Sequence, residues 1–180
     1  MSNSVKSISD FFDENDTYAM PLYQRTYCWR TNKELKQFKA DLENIWEAAT
    51  NYKEIENFLG ATILLELKSG GVGRGKKYNV IDGQQRLTPI YLTLLACADY
   101  AKDNEWDYYE KIRNDYLVHK KRAHRGNVKI SPTNHDRKQF NHIISMSGIK
   151  GINKLSNASG GSKEGAMTDA YKFLKTECAE

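Results

Sequence analysis

The sequence predicts an α+β fold, a small sheet with flanking helices and a mostly helical C-terminal part. Three observations carry this. Residues 58–67 are rich in β-formers and are followed by a glycine-rich turn, 69–75, and a second β-type run, 77–81, the pattern of a hairpin. Apolar residues recur at helical spacing between Thr31 and Ala49. After Thr88 nearly every periodic segment is helical, so the strands sit early in the chain and most helices follow them.

Taken in order, Ser7–Phe12 reads as a short helix, and Thr17–Met20 as a short strand stopped by Pro21. Thr31 and Glu34 have capping-box spacing, and Leu35, Phe38, Leu42, Ile45, Trp46 and Ala49 form an apolar stripe behind them. Thr88 and Pro89 suit an N-cap and first helical position, so a largely apolar helix is expected from Pro89 to Lys102. Helical signals return at 105–118, 134–145 and 164–178. The stretch 153–163, Asn-Lys-Leu-Ser-Asn-Ala-Ser-Gly-Gly-Ser-Lys, has the composition of a flexible loop. No internal repeat is present.

With 180 residues, 39% hydrophobic and 28% charged, the chain is expected to be soluble and globular, one domain or one domain with a helical appendage. No apolar run approaches the ~18 residues a membrane helix needs. The N-terminus lacks a basic start, an apolar core and a small-residue cleavage site, so the expectation is a cytoplasmic protein without a membrane partner. Cys28, Cys97 and Cys178 are odd in number and far apart, which points to a reducing compartment and against a disulfide framework or zinc site. The net charge of +4 is compatible with a polyanionic partner. Its distribution is uneven: Lys120, Lys121, Arg122, His124, Arg125 and Lys129 crowd one stretch, while acids dominate 41–56.

Two segments are candidates for chemistry. In Val80-Ile-Asp-Gly-Gln-Gln-Arg-Leu-Thr88, strand, Asp-Gly turn and helix start follow closely, which aims backbone N–H groups at one point and favours an anion. Arg86 adds a fork-shaped charge suited to phosphate. Asp82 suits Mg²⁺, which commonly takes one or two carboxylates plus phosphate oxygens. Gln84 and Gln85 can orient water or read a base. The same residues also fit a polar turn whose Asp and Gln side chains cap the next helix, and both readings stand. The second segment is Pro21-Leu-Tyr-Gln-Arg-Thr-Tyr-Cys-Trp29. Tyr23, Tyr27 and Trp29 either stack on a base, worth ~1–3 kcal/mol, or pack in the core and position Gln24 and Arg25. Gly70–Lys76 matches the spacing of a phosphate loop, but Lys77 replaces the Ser/Thr such a loop needs and a strand follows, so a hairpin tip is expected.

Pro-Leu-Tyr-Gln-Arg-Thr-Tyr-Cys-Trp, the amphipathic helix after it, Phe-Leu-Gly-Ala-Thr-Ile-Leu-Leu (58–65), the Asp-Gly-Gln-Gln-Arg string, residues 128–140 and the closing helix together resemble the N-terminal domain family of GmrSD-type modification-dependent restriction enzymes. The resemblance spans nearly the whole chain in order. It implies a ParB/sulfiredoxin-like fold, with NTP binding and Mg²⁺-dependent hydrolysis coupled to recognition of modified, often phage, DNA. By that match Gln24, Arg25, Asp82, Gly83, Gln84, Gln85 and Arg86 form the nucleotide site, in a core spanning 1–104 with 105–180 as a helical extension of the same domain. Asp82, Gln84, Gln85 and Arg86 would act in hydrolysis, Asp82 as the Mg²⁺ ligand, with the base of the nucleotide open. Pro89 stands where many members have a threonine. The family's HNH-type nuclease site has no counterpart around His119, His124, His135 or His142, so no DNA cleavage is expected of this chain alone; an HNH-type nuclease domain or subunit is the expected partner, and homo-oligomerisation is compatible. Either the chain ends before such a nuclease or it stands alone. Given a DNA partner, Tyr23, Lys120, Lys121, Arg122 and Arg125 are the candidate contacts. The alternative is a non-catalytic reader of modified DNA whose Asp-Gly-Gln-Gln-Arg turn is structural.

Overall fold

The structure, a computed structural model, describes residues 5–13, 16–51, 59–67, 75–120, 125–158 and 161–178. Along the chain run α1 (Ile8–Asp13), β1 (Thr17–Ala19), α2 (Glu34–Thr50), β2 (Ile63–Leu67), β3 (Lys77–Asp82), α3 (Gln84–Asp103), α4 (Tyr108–Ile112), β4 (Ile130–Ser131), α5 (Arg137–Ser147) and α6 (Ala166–Glu177). The fold is α+β, a four-stranded sheet of order β2-β3-β1-β4 with flanking helices. β2 and β3 pair antiparallel, as the hairpin pattern predicts, with an irregularity at Ile63/Leu64. β1 lies parallel to both β3 and β4. Only two residues long, β4 gave no sequence signal and exists because its neighbour β1 offers a ladder.

A single apolar core joins sheet and helices. Tyr18 stacks on Phe11 at 4.2 Å and on Tyr78 at 5.7 Å, fastening α1 to the sheet. Leu92, Leu95 and Ala96 of α3 are buried together with Ala170, Tyr171 and Leu174 of α6. Among the described residues, no helix is long and apolar enough to cross a membrane.

Several local expectations change. α3 begins at Gln84, not at Pro89. Gly83 adopts φ +97°, a left-handed turn in which a Cβ would sit 2.8 Å from Thr62 Oγ1, so the chain can enter the helix only through glycine there. Pro89 therefore falls inside the helix, where it lacks the N–H that would reach Gln85 O. Thr88 does not cap. Its buried hydroxyl donates to Gln84 O at 2.8 Å. The Thr31–Glu34 capping box does not form either: α2 starts at Glu34, whose carboxylate accepts from the Arg30 N–H at 3.0 Å. On α2, Leu35, Phe38 and Ala48 are buried, but Trp46 is 72% exposed and Ala49 is exposed, because the apolar stripe is wider than the contact it makes.

The helix expected over 105–118 begins at Tyr108 and changes type part-way. Glu105 takes φ +55° after α3 ends, and α4 widens into a π-helical turn, Arg113–Leu117, before Val118 bridges Val128. The 153–163 stretch has no helix or strand among its described residues, yet it is pinned. Asn153 N–H donates to Gly126 O (2.8 Å), Leu155 N–H to Asn141 Oδ1 (2.8 Å), and Arg137 to Ser156 O (3.2 Å).

A buried polar cluster locks α3, α5 and α6 together. Asp99, fully buried, accepts from Lys102 Nζ (2.9 Å), Lys175 Nζ (2.5 Å) and the Tyr171 hydroxyl (2.6 Å), while Lys102 also donates to Ser147 O (2.5 Å). Burial draws both ammonium groups down, but the hydrogen bonds and charges of Asp99 and Asp103 together outweigh it and hold them above the usual lysine value.

Candidate nucleotide site

Two segments 56–59 residues apart meet where β1 and β3, running parallel, reach their C-terminal ends. In open sheets that is the side on which ligands bind. β3 delivers Asp82, Gly83 makes the left-handed turn, and α3 opens with Gln84, Gln85 and Arg86. β1 delivers the chain to Met20, and a tight turn at Leu22–Gln24 brings residues 24–29 alongside. Between them lies a cleft of about 370 Å³ lined by Gln24, Arg25, Trp29, Ile81, Asp82, Gly83, Gln84, Gln85 and Arg86. Its volume falls within the ~300–1,000 Å³ of small-molecule sites.

The glutamines join the two segments. Gln24 Nε2 donates to Val80 O (2.5 Å) and Ile81 O (2.9 Å), and Gln84 Nε2 to Arg25 O (2.8 Å). Gln85 behaves like a neighbouring peptide: Nε2 donates to Thr26 O (3.1 Å) and Oε1 accepts from the Cys28 N–H (3.1 Å). None of these side chains caps α3. The sequence offers Gln84 and Gln85 as groups that orient water or read a base, or else cap the helix; no cap forms, and their amides hold the opposite wall, because a segment that is neither helix nor strand needs partners for its backbone.

The cations are freer. Arg25 is exposed and makes no side-chain hydrogen bond or ion pair among the described residues. Arg86 Nη2 donates to Ala61 O (2.6 Å) and lies 3.7 Å from Asp82 Oδ2. Arg86 Nε is buried without an acceptor among the described residues and packs against Gly60, where a Cβ would come within 2.9 Å of it. Gly60 takes φ +101°, so both its backbone and its lack of a side chain make room for Arg86. In the first turn of α3 the N–H groups of Gln84 and Gln85 have no intrahelical acceptor. Arg25, Arg86 and those amides make the cleft a cationic, donor-rich place, and Asp82 is its one acidic lining residue.

The aromatic residues divide. Tyr27 is buried in the core, and burial pushes its phenol far above the ordinary value. Trp29 packs against Phe38 at 6.0 Å and also lines the cleft. Tyr23 is 75% exposed in the turn beside Gln24.

The residue that holds this segment from below, Asp136, is not among the candidates read from the sequence. Asp136 Oδ2 accepts from the Tyr27 N–H (2.9 Å) and the Thr133 hydroxyl (3.0 Å), and Asp136 is 3% exposed with Oδ1 unpartnered among the described residues. Its run, Ser-Pro-Thr-Asn-His-Asp, stood out only through the resemblance. Burial raises the Asp136 carboxyl, and bonds from Tyr27 and Thr133 offset part of that. An acid with a raised pKa binds its proton more readily folded than unfolded, so its contribution to stability falls as pH rises from the unfolded pKa, ~3.9, through the higher folded one. Asp136→Asn, which keeps one acceptor, is expected to flatten this part of the pH–stability curve in denaturant titrations, whereas Asp136→Ala loses the acceptor and destabilises at all pH values. A curve unchanged by Asn would mean the carboxyl does not titrate there.

The basic stretch lies elsewhere. Lys121, Arg122 and His124 fall outside the described residues. Lys120 pairs with Asp115 at 2.6 Å, and with Arg113, His119 and Arg125 it lines a separate cleft of about 450 Å³. His119 reaches Thr17 Oγ1 (3.1 Å) at the N-terminal end of β1, opposite the cleft beside Gly83. Lys129 leaves the group: it is buried, its ammonium donating to Phe12 O and to Asp115 O (2.5 Å). Most of the phosphate-loop spacing falls outside the described residues, at 68–74. Gly75 leads directly into strand β3, and Lys76 is held by Glu66 (3.0 Å) and, through its N–H, by Asp16 (2.7 Å). His142 sits 3.4 Å from Glu164, and no group of three metal-capable side chains occurs among the described residues.

Comparison with known families decides the lineage. The profile of the GmrSD restriction endonuclease N-terminal domain matches residues 8–178. The chain belongs to that family. Membership makes this GmrSD N-terminal domain a component of a restriction and phage-defence system. No curated protein sequence gives a significant match.

Proposed function

We propose that this GmrSD N-terminal domain is a nucleotide-binding, NTP-hydrolysing sensor of a restriction system that responds to modified DNA. The observation that carries the reading is the convergence of Arg25, Arg86, Asp82 and the open first turn of α3 on one cleft. A triphosphate fits this donor set, since forked guanidinium groups and helix N-terminal amides are strong phosphate partners. Mg²⁺ fits Asp82, exposed and, among the described residues, held by a 3.7 Å contact with Arg86. Bound there, the metal would supply neutralisation of phosphate charge. Arg25 and Arg86 would bind and orient phosphate oxygens, and Asp82 would hold the metal or polarise water. The three glutamines would act at one remove, fixing the walls. Calorimetric titration with each Mg-nucleoside triphosphate, followed by phosphate release, is expected to show saturable binding and slow turnover. No binding of any of them would sink the reading.

A second reading has its own support. All three glutamine amides are engaged by backbone, which is what a structural turn in a non-catalytic DNA reader requires. Binding without phosphate release would leave regulation of a nuclease partner as the role, and an HNH-type domain or subunit is the partner proposed. For DNA, Tyr23 is the exposed candidate for contact with an altered base, and Lys120, Lys121, Arg122 and Arg125 for phosphates. Alanine at Lys120, Lys121 and Arg122 is expected to flatten the slope of log K against log salt by roughly two to three units, at about −0.9 per phosphate, equally for modified and unmodified DNA. An unchanged slope would remove the stretch from the interface.

A further inference from the structure

Two thiols far apart in the sequence meet in the fold. Cys97 lies on α3 and Cys178 directly follows α6, 81 positions later, and their sulfurs are 3.6 Å apart. Both are free thiols and partly exposed. Neither lines either cleft, so the nucleotide reading makes no use of them. We infer that Cys97 and Cys178 form a redox modification site that closes to an intramolecular disulfide when the chain meets a peroxide.

A disulfide needs sulfurs at ~2.05 Å, so the pair must close by roughly 1.5 Å. Cys178 caps the last turn of α6, its N–H bonded to Leu174 O at 3.0 Å, and helix ends adjust more readily than interiors. The two thiols are also unequal. The hydrogen bond with Cys178 draws the Cys97 thiol below the ordinary value, against burial. The same bond, burial and nearby Glu177 push Cys178 up. Cys97, fixed inside α3, is the attacking sulfur, and Cys178, at the adjustable end of α6, is the resolving thiol that closes on it. In the first step the Cys97 thiolate attacks one peroxide oxygen and the O–O bond breaks. Cys97 becomes a sulfenic acid, and the departing hydroxide takes a proton to leave as water. In the second step the Cys178 sulfur attacks the sulfenic sulfur, the S–O bond breaks, and the proton of Cys178 leaves with the hydroxide as water. The two thiols lose two electrons and one peroxide becomes two waters. Cys28, exposed and hydrogen-bonded to Gln85, has no thiol beside it among the described residues and is the internal comparison.

The test uses the full chain. Purified protein is treated with hydrogen peroxide, alkylated and digested, and its peptides are weighed. The expected product joins the Cys97 and Cys178 peptides within one chain, two hydrogens lighter than their sum, and dithiothreitol reverses it. Closing a loop of this length should raise Tm by about 10 °C. Cys178→Ser should abolish the link and the Tm rise, leaving a Cys97 sulfenic acid that dimedone traps. The inference is overturned if Cys97 and Cys178 both remain alkylatable at a peroxide dose that oxidises Cys28. It is equally overturned if oxidation links separate chains, or if each cysteine is oxidised on its own.

Discussion

Replacing Arg86 by alanine is expected to weaken binding of a Mg-triphosphate roughly ten- to a hundredfold while leaving the chain folded. Hydrogen bonds to a charged group are worth about 1.5–3 kcal/mol, and each 1.4 kcal/mol is tenfold. Arg86 has Nη2 committed to Ala61 O and Nε buried against Gly60, yet it lines the cleft and its side chain keeps 39% exposure. Its 3.7 Å pairing with Asp82 contributes little to stability, because both partners are solvated. Losing the Ala61 bond loosens the 60–62 segment, but the sheet register of β2 does not depend on it. Arg86→Lys separates charge from shape: a lysine restores attraction to phosphate without the two-pronged geometry, so an intermediate affinity is expected. Arg25→Ala should act on the same ligand, since both residues line one cleft. The double variant should lose less than the sum of the singles, as groups sharing a ligand do not add. Calorimetry on variants whose circular dichroism matches the parent checks all four. Unchanged affinity in folded Arg86→Ala would remove Arg86 from the site, and strict additivity with Arg25 would dissolve the shared cleft.

The largest effect on stability is expected at Asp99, far from the cleft. Asp99→Asn keeps an acceptor but removes the charge that Lys102 and Lys175 face, and Asp99→Ala also leaves the buried Tyr171 hydroxyl without its partner. Breaking a buried ion pair costs about 3–5 kcal/mol. Here the lower end applies, because both lysines are partly exposed and retain Asp103. About 3 kcal/mol in a chain of this size corresponds to a Tm loss of roughly 6–12 °C for alanine, and a smaller loss for asparagine. The lysines add a pH signature. Their folded pKa values are raised, so the stabilisation is complete below the unfolded value of ~10.4 and is lost as pH rises through the folded values. Thermal unfolding from neutral to strongly alkaline pH should show the parent losing its advantage over Asp99→Ala. A Tm within about 2 °C of the parent at neutral pH would mean the cluster is ornamental to stability.

What the sequence could fix by itself were features that depend on near neighbours. The β2–β3 hairpin followed from alternating β-formers around glycines, and α2, α5 and α6 from apolar spacing. Asp82-Gly83 as the turn beneath a candidate anion site was legible because only glycine tolerates φ +97° in that crowding. Family membership was legible from motif order along the whole chain. The start of α3 was misread because Thr88-Pro89 is a strong local start signal, and only packing of Gly83 against Thr62 overrides it. The glutamine amides found backbone carbonyls from another segment, a partnership that no spacing announces. Lys129 looked like part of a basic surface, and the tertiary structure buried it against two carbonyls. Asp136 beneath Tyr27, Asp99 between two helices, and Cys97 against Cys178 all join residues 72 or more positions apart. Local propensity acts over a few residues, whereas burial and hydrogen-bond satisfaction act through space, so these contacts exist only once the chain has closed on itself.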